Sequence, residues 1–484
     1  MKGQHRLILF IAIVLAFPIS ATARKVTSLP VYKPNVVVFM IDDMGWADCS
    51  VAFWGRTGNN YLYNTVNLQR LADRGMRFTR AYGASTCSPG RVTFLTGLCP
   101  LVHNVTGQIH ELDKPGGSSS EVFMFPTWNY NGLQPDNSLS NSISATTLPQ
   151  VLSADGYQTI NSGQAYFAPE GSAGWDPRSL GYQYNITSVA SGMGPFDIVR
   201  QEDKPFFLAI NYTMAGNPVA DDDPVYLDCL AKGIPAERAR YVALVAGADS
   251  TMGILLDYID NKGLKENTVV IFTSVNGGES PYKEGEPVKK YNYPLKGGKG
   301  SPYEGAIRIP MIISGPGIKD TSRTRTPVEL GDLFPTIINI TGIKKVKTGH
   351  KLCGMDFTPL LKGERRHRSN RSFVWHFPNS YGGGYDSQGA YSAIVKGNWK
   401  LIYYYDTESS ELYDLSVDIF EVVDQSNNPS MSVTLHQLRR ELTHRLKKNG
   451  SSLPYFKVRG EWCRYPDGRP FKKGEDVVFL PELR

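Results

Sequence analysis

Three short polar clusters sit directly after apolar runs, where chemistry is easiest to place. Asp42-Asp43 follows Asn35 to Ile41. Ser274-Val275-Asn276-Gly277-Gly278 follows Thr268 to Thr273, and Met214 to Val219 follows Pro205 to Asn211. Two adjacent carboxylates and an Asn side-chain oxygen make a hard-oxygen donor set suited to Ca²⁺ or Mg²⁺. The same Asp pair also suits a turn, because Asp side chains cap nearby backbone amides. A fourth segment, Cys87-Ser88-Pro89-Gly90-Arg91-Val92-Thr93-Phe94-Leu95-Thr96-Gly97, joins a thiol to a guanidinium four residues on.

The elements that must position these groups are readable from hydrophobic patterning. Asn35 to Ile41, Pro205 to Asn211, Thr268 to Thr273 and Pro310 to Ser314 are short, continuous apolar runs. That pattern predicts strands buried on both faces. Tyr157 to Ile160 is a further strand candidate. Val66 to Arg74, Thr147 to Leu152 and Pro235 to Lys262 read as helices, the last with Pro before it and Gly263 after it. Alternation of strands and helices predicts an α/β fold around a large, mostly parallel sheet. In such a sheet, ligands bind beyond the carboxyl ends of the strands, so the clusters above converge on one edge. After about Glu364 the character changes. Phe373 to Phe377, Ala393 to Val395 and Trp399 to Tyr405 predict a small antiparallel sheet, Glu411 to Leu415 a turn, and Val433 to Lys448 a terminal helix. Gly116 to Ser120 and Tyr381 to Gly384 read as surface loops. The expected division is 1–23, 24–364 and 365–484.

Composition narrows the class. The 484 residues are 41% hydrophobic, 20% charged and 11% aromatic, which excludes disordered, collagen-like and coiled-coil chains. Lys+Arg minus Asp+Glu is 52 − 46 = +6. That is too mild and dispersed to argue for nucleic acid. Residues 1–23 follow the order of a secretory signal: a basic start at Lys2 and Arg6, the apolar run Leu7 to Phe17, Pro18, then Ala21-Thr22-Ala23. The expectation is a secreted or periplasmic protein with no membrane span. Its six cysteines contain no CxxC pair, so no zinc or redox motif is indicated. The even count suggests three disulfides; if Cys87 does chemistry, at least one other thiol stays unpaired.

On Cys-x-Pro-x-Arg followed by Leu-Thr-Gly, the chain resembles the type I, formylglycine-dependent sulfatases of the alkaline phosphatase superfamily. The likeness extends through Asn35 to Gly45, Asn67 to Tyr82, Thr268 to Gly278, Leu295 to Pro310 (LKGGKGSPYEGAIRIP), Val328 to Gly342 and Trp399 to Leu415. The run Trp128-Asn-Tyr-Asn-Gly-Leu133 looks like bacterial sulfatases that act on polysaccharides. The resemblance implies that a maturation enzyme converts Cys87 to formylglycine, whose hydrate attacks the sulfur of a sulfated carbohydrate. A covalent sulfoenzyme then forms and releases sulfate. It implies a divalent cation, usually Ca²⁺ and less often Mg²⁺, held by Asp42, Asp43, Asn276 and the modified Cys87. It also implies Arg91 beside the formylglycine and Lys299 on the sulfate.

Five positions depart from the family pattern. Val275 stands where the family has a metal-binding Asp. Gln164 and Tyr166 replace the Lys and His of a Gly-Lys-x-His segment, and Thr213-Met214-Ala215-Gly216 lacks a second His. Position 90 is Gly rather than Ser or Ala. His103, His110 and His376 are candidate replacements, Tyr166 a candidate hydrogen-bond donor to sulfate, and Glu279 a candidate for the missing carboxylate. Two readings follow: a sulfatase, or an impaired relative that binds sulfated glycans without hydrolysing them. Phosphoester or phosphonate hydrolysis needs more metal ligands and fits less well.

Overall fold

The computed structural model describes residues 33–116, 120–214, 218–279, 291–344, 346–364, 371–380 and 389–471. The expected signal segment, Ala215, the loop from Tyr381 to Gly384 and most of that from Gly116 to Ser120 lie outside the described residues.

In chain order, the elements that build the site are β1 (Asn35–Ile41), α1 (Val66–Asp73), β2 (Gly75–Phe78) and α2 (Cys87–Thr96). They continue with α3 (Leu148–Ala154), β3 (Gln158–Ser162), β4 (Tyr184–Ile186), β5 (Phe206–Tyr212), α4 (Ala236–Asn261) and β6 (Thr268–Ser274). Then come β7 (Met311–Ser314), β8 (Ser322–Thr324) and α5 (Leu333–Ile340). One eight-stranded sheet has the order β8-β2-β7-β6-β1-β5-β3-β4. Its pairs are parallel except those of β7, which runs against both β6 and β2.

The continuous apolar runs have a direct cause. Along β1, Val36, Val38 and Met40 enter one apolar cluster, and Val37, Phe39 and Ile41 enter another. The first cluster packs under α2 and α5, the second under α1 and α4. Both faces of the strand are therefore dry, and the alternation expected of a half-solvated strand is absent. Helix α3 begins at a capping box in which Thr147 and Gln150 exchange side-chain-to-backbone bonds. Helix α4 is long and apolar enough to cross a membrane by length and composition alone. Most of that apolar stretch is buried against the sheet, as in a core helix of a soluble fold.

The C-terminal part holds β9 (Ser372–Phe377), β10 (Tyr391–Lys396), β11 (Trp399–Tyr404) and β12 (Ser410–Asp414), an antiparallel meander, and α6 (Ser432–Lys448). Glu411 to Leu415 is thus mostly strand rather than the expected turn; five ladder pairs with β11 impose it. One face of the meander packs on Tyr82, Tyr303, Ala306 and Ile307, the other under α6. Residues from Lys33 onward cluster as one compact unit. The six cysteines are unbridged in this structure, where the even count suggested three disulfides.

Candidate active site

Asp42 and Asp43 leave the carboxyl end of β1 between β5 and β6, so the two neighbouring strands deliver groups to the same edge. The Asp42 carboxylate accepts from the Met214 amide at 3.0 Å, beyond β5. Asp43 has φ of +58°, a left-handed turn that Asp tolerates better than most side chains. The Tyr241 hydroxyl of α4 lies 2.8 Å from the Asp43 carbonyl oxygen, within donating distance.

Helix α2 starts at Cys87, preceded by Thr86 in extended conformation. All ten of its residues are buried, and Gly97 ends it in the left-handed conformation a C-terminal cap requires. The Cys87 thiol donates to Asp43 Oδ1 at 3.3 Å. Asp42, Asp43 and Cys87 each offer a ligand atom, and these atoms lie within 4.8 Å of one another. Asn276 donates to Asp43 Oδ1 at 2.9 Å and to the Gly277 carbonyl at 2.7 Å. Its own Oδ1 is buried with no hydrogen-bond partner. A buried acceptor without a donor is costly, and a cation beside it removes that cost. The donor set of two carboxylates, an amide oxygen and the group at position 87 therefore fits a hard divalent cation.

Lys299 places its ammonium 2.9 Å from Asp43 Oδ2 and 2.9 Å from Glu279 Oε1. Burial pushes the Glu279 carboxyl above its usual range and Asp43 adds to the rise, while Lys299 opposes it. Burial also raises Asp42, against the pull of Arg91. The Cys87 thiol is pushed well up, first by burial and then by Asp43.

Arg91 is fully buried. Its guanidinium donates to Asn211 Oδ1 at 2.6 Å and to Asp42 Oδ2 at 3.4 Å. Asn211 donates to Asn161 Oδ1 at 2.8 Å, and Asn161 to Asn185 Oδ1 at 2.8 Å. This asparagine ladder runs from β5 through β3 to β4. Sequence reasoning missed it, although a lone Asn inside the apolar run FFLAINY is a signal that a polar group is needed there. Asn211 also heads an Asn-x-Thr sequon, but its burial on β5 removes it as a glycosylation acceptor in the folded chain.

Other expected residues stand elsewhere or do less. Val275 is fully buried in the apolar cluster that also holds Cys87, so it supplies no ligand. Gln164 follows β3 at the same carboxyl edge. Tyr166 is 37% exposed at φ +48° with its ring against Trp175. His110 is exposed and packs beside Gly116. His376, expected as a candidate substrate contact, stands in the C-terminal sheet. It is buried in β9 with Nδ1 2.7 Å from the Ser392 hydroxyl and Nε2 3.0 Å from the Ser452 carbonyl oxygen, which occupies both nitrogens. Burial lowers it to about 4. His103 is likewise buried, between Thr93 and the Val105 amide, and held at about 3.

A thiol at a helix start, acidic oxygens at a parallel sheet's carboxyl edge and a lysine facing them suit ester hydrolysis. Residues 34–343 match the family described as Sulfatase, and the chain belongs to that family. It is by family a sulfuric ester hydrolase. Residues 298–448 match N-sulphoglucosamine sulphohydrolase, C-terminal. A sulfatase of Formosa agariphila is 26% identical over 99% of this chain and 98% of its own length. The N-acetylgalactosamine-6-sulfatase of Rattus norvegicus is 27% identical over 80% and 74%. The solved structure of Ps i-CgsB with k-i-k-neocarrahexaose aligns with a TM-score of 0.64 at 21% identity, covering 88% of this chain and 96% of that one. At that identity the likeness is one of fold.

Proposed function

We propose that this chain is an exported hydrolase of sulfate esters on a sulfated polysaccharide or its oligosaccharides. In this reading a maturation enzyme converts Cys87 to formylglycine, and Asp42, Asp43 and Asn276 hold a divalent cation. Ca²⁺ suits this irregular oxygen set better than Mg²⁺, which demands near-octahedral geometry. The observation that carries the reading is the 3.3 Å contact between Cys87 Sγ and Asp43 Oδ1 within the Asp42–Asp43–Cys87 cluster. The carbohydrate class is supported by the N-acetylgalactosamine-6-sulfatase among the relatives and by the neocarrahexaose seen with Ps i-CgsB.

The hydrated aldehyde would supply the attacking oxygen, and the cation would supply positive charge for the oxyanions that develop. The chain's own groups do the rest. Arg91, wedged between Asn211 and Asp42, fixes the Asp42 carboxylate. The first-turn amides of α2 favour negative charge at position 87. Lys299 turns a cationic head toward the site and grips a sulfate oxygen, while Glu279 keeps that head oriented.

A second reading is favoured by Val275: it is a non-ligand, wholly buried, at the position of a metal-binding Asp in the resembled family. With Gln164 and Tyr166 it suits a glycan-binding relative that has lost turnover. One experiment separates the two. The protein is co-expressed with a maturation enzyme, and the peptide carrying Cys87 is weighed for the aldehyde. A panel of sulfated oligosaccharides is then assayed with Ca²⁺ beside Cys87→Ala. Faster release of sulfate by the matured chain supports hydrolysis; equal rates from both remove it. A large gain from Val275→Asp with Gln164→Lys marks a decayed site.

A further inference from the structure

Helix α2 ends at Thr96, and Cys99 follows two residues after Gly97. The segment from His350 to Met355 is stitched along that end. His350 Nε2 lies 3.0 Å from the Thr96 carbonyl oxygen, and the Cys353 amide donates to the Gly97 carbonyl at 2.9 Å. The Cys99 amide donates to Cys353 Sγ at 3.0 Å. Met355 is tied in turn to the Asp332 carboxylate at 2.7 Å. These backbone bonds set the register of the two cysteines, and their sulfurs lie 2.8 Å apart.

We propose that Cys99 and Cys353 are a modification site: under oxidising conditions they join as a disulfide that locks the C-terminal end of the Cys87 helix to the loop from His350 to Met355. Three features support it. The backbone bonds hold the thiols together without the bond, so oxidation needs little rearrangement. Cys353 is partly exposed, while Cys99 is buried. The hydrogen bond between the two side chains, and against burial the Cys99 amide, holds the Cys353 thiol below its ordinary value, whereas Cys99 is pushed up. Its greater exposure makes Cys353 the attacking sulfur. Its thiolate attacks a disulfide-bearing oxidant, giving a mixed disulfide and expelling one thiolate. Cys99 then loses its proton and attacks Cys353 Sγ, expelling the second thiolate. Two protein thiols are oxidised and one external disulfide is reduced to two thiols. Cys87 takes no part, because its thiol is committed to Asp43.

The bond would close a loop of about 250 residues, and cross-links over long loops constrain the unfolded chain strongly in the chain-entropy account. It would also anchor the helix that carries position 87 at the end opposite the site. The proposal does not depend on the substrate or on export.

The test uses the full chain, with Cys87→Ala as a parallel sample that cannot be matured. Each is equilibrated with a glutathione–glutathione disulfide buffer, quenched in acid, alkylated and mapped without reduction. The expected result is one peptide pair linking Cys99 to Cys353, with the remaining thiols alkylated. Alkylation of both Cys99 and Cys353 in the oxidised sample would overturn the proposal, and that readout needs no variant of either cysteine. Thermal unfolding supplies the second arm. Reductant should lower the wild-type midpoint by several degrees, to that of Cys99→Ala/Cys353→Ala, and leave the double variant unmoved. A wild-type midpoint that ignores reductant, or a double variant that shifts equally, would count against it.

Discussion

A Cβ added to Gly90 would stand 2.6 Å from the Val275 carbonyl oxygen and 3.2 Å from the Val275 Cβ. Two departures from the resembled family's pattern, at 90 and at 275, thus meet in space. Helix α2 packs so closely on the end of β6 that Gly90 is a steric requirement. Gly90→Ala would gain up to about 1 kcal/mol of helix propensity and lose about 1–3 kcal/mol to overpacking. The expected outcome is net destabilisation, read as a lower urea midpoint with an unchanged m-value.

Lys299 faces both a carboxylate that would bind a cation and the place of a substrate anion. Lys299→Met should lower kcat/KM on a sulfate ester by about 10²–10³-fold, as loss of one preorganised transition-state donor does. Affinity for Ca²⁺, measured by calorimetry, should hold or rise, because an ammonium 2.9 Å from Asp43 is removed. A fall in both would assign Lys299 to supporting the carboxylates.

Four buried charges join the C-terminal meander to the segment from Glu304 to Arg308. Lys400 on β11 lies 3.1 Å from Glu304 Oε1 and 2.7 Å from Glu421 Oε1, and Arg308 Nε lies 2.6 Å from Glu304 Oε2. All four residues are 1% exposed or less. Lys400→Met leaves two acids against one base in a dry site. Breaking such a set from one side costs about 3–5 kcal/mol. Lys400→Met with Glu421→Gln should recover part of that loss in denaturant titrations.

His376 and His103 make acid stability a direct readout of packing. Burial depresses both, His376 to about 4 and His103 to about 3. Their stabilisation is complete above the unfolded value near 6.5 and is lost as pH falls toward the folded values, because unfolding then takes up protons. Each contributes a slope of about 1.4 kcal/mol per pH unit in that window. Burial raises Glu329 to about 7, and that acts in the opposite sense between its unfolded and folded values. The clean measurement is therefore the difference between wild type and His376→Gln. It should show the wild type losing stability more steeply from pH 6.5 down to about 4, by one such slope.

Most strands were legible because a sheet covered on both faces demands unbroken apolar runs, and Asn35 to Ile41 and Thr268 to Thr273 have them. β12 was not legible. Ser410–Asp414 breaks strict alternation, with Leu412 and Tyr413 both buried, and its ladder with β11 makes it a strand. His376 shows the reverse failure: the residue type suggested chemistry, while its neighbours Ser392 and Ser452 make it part of the core.

By itself the sequence determined which residue types were available at the strand ends: Asp42, Asp43, Cys87, Arg91, Asn276 and Lys299, with Val275 among them. Local pattern suffices where a group follows its own strand, as Asp42, Asp43 and Asn276 do; Cys87 and Arg91 are read from the α2 motif, and Lys299 lies in a loop. Only the tertiary structure decided who touches whom. It set Lys299 between Asp43 and Glu279, Arg91 against Asn211, and Cys353 on Cys99. Those contacts join residues more than a hundred positions apart or belong to loops without periodicity, and they exist only once the sheet brings its strand ends to a common edge.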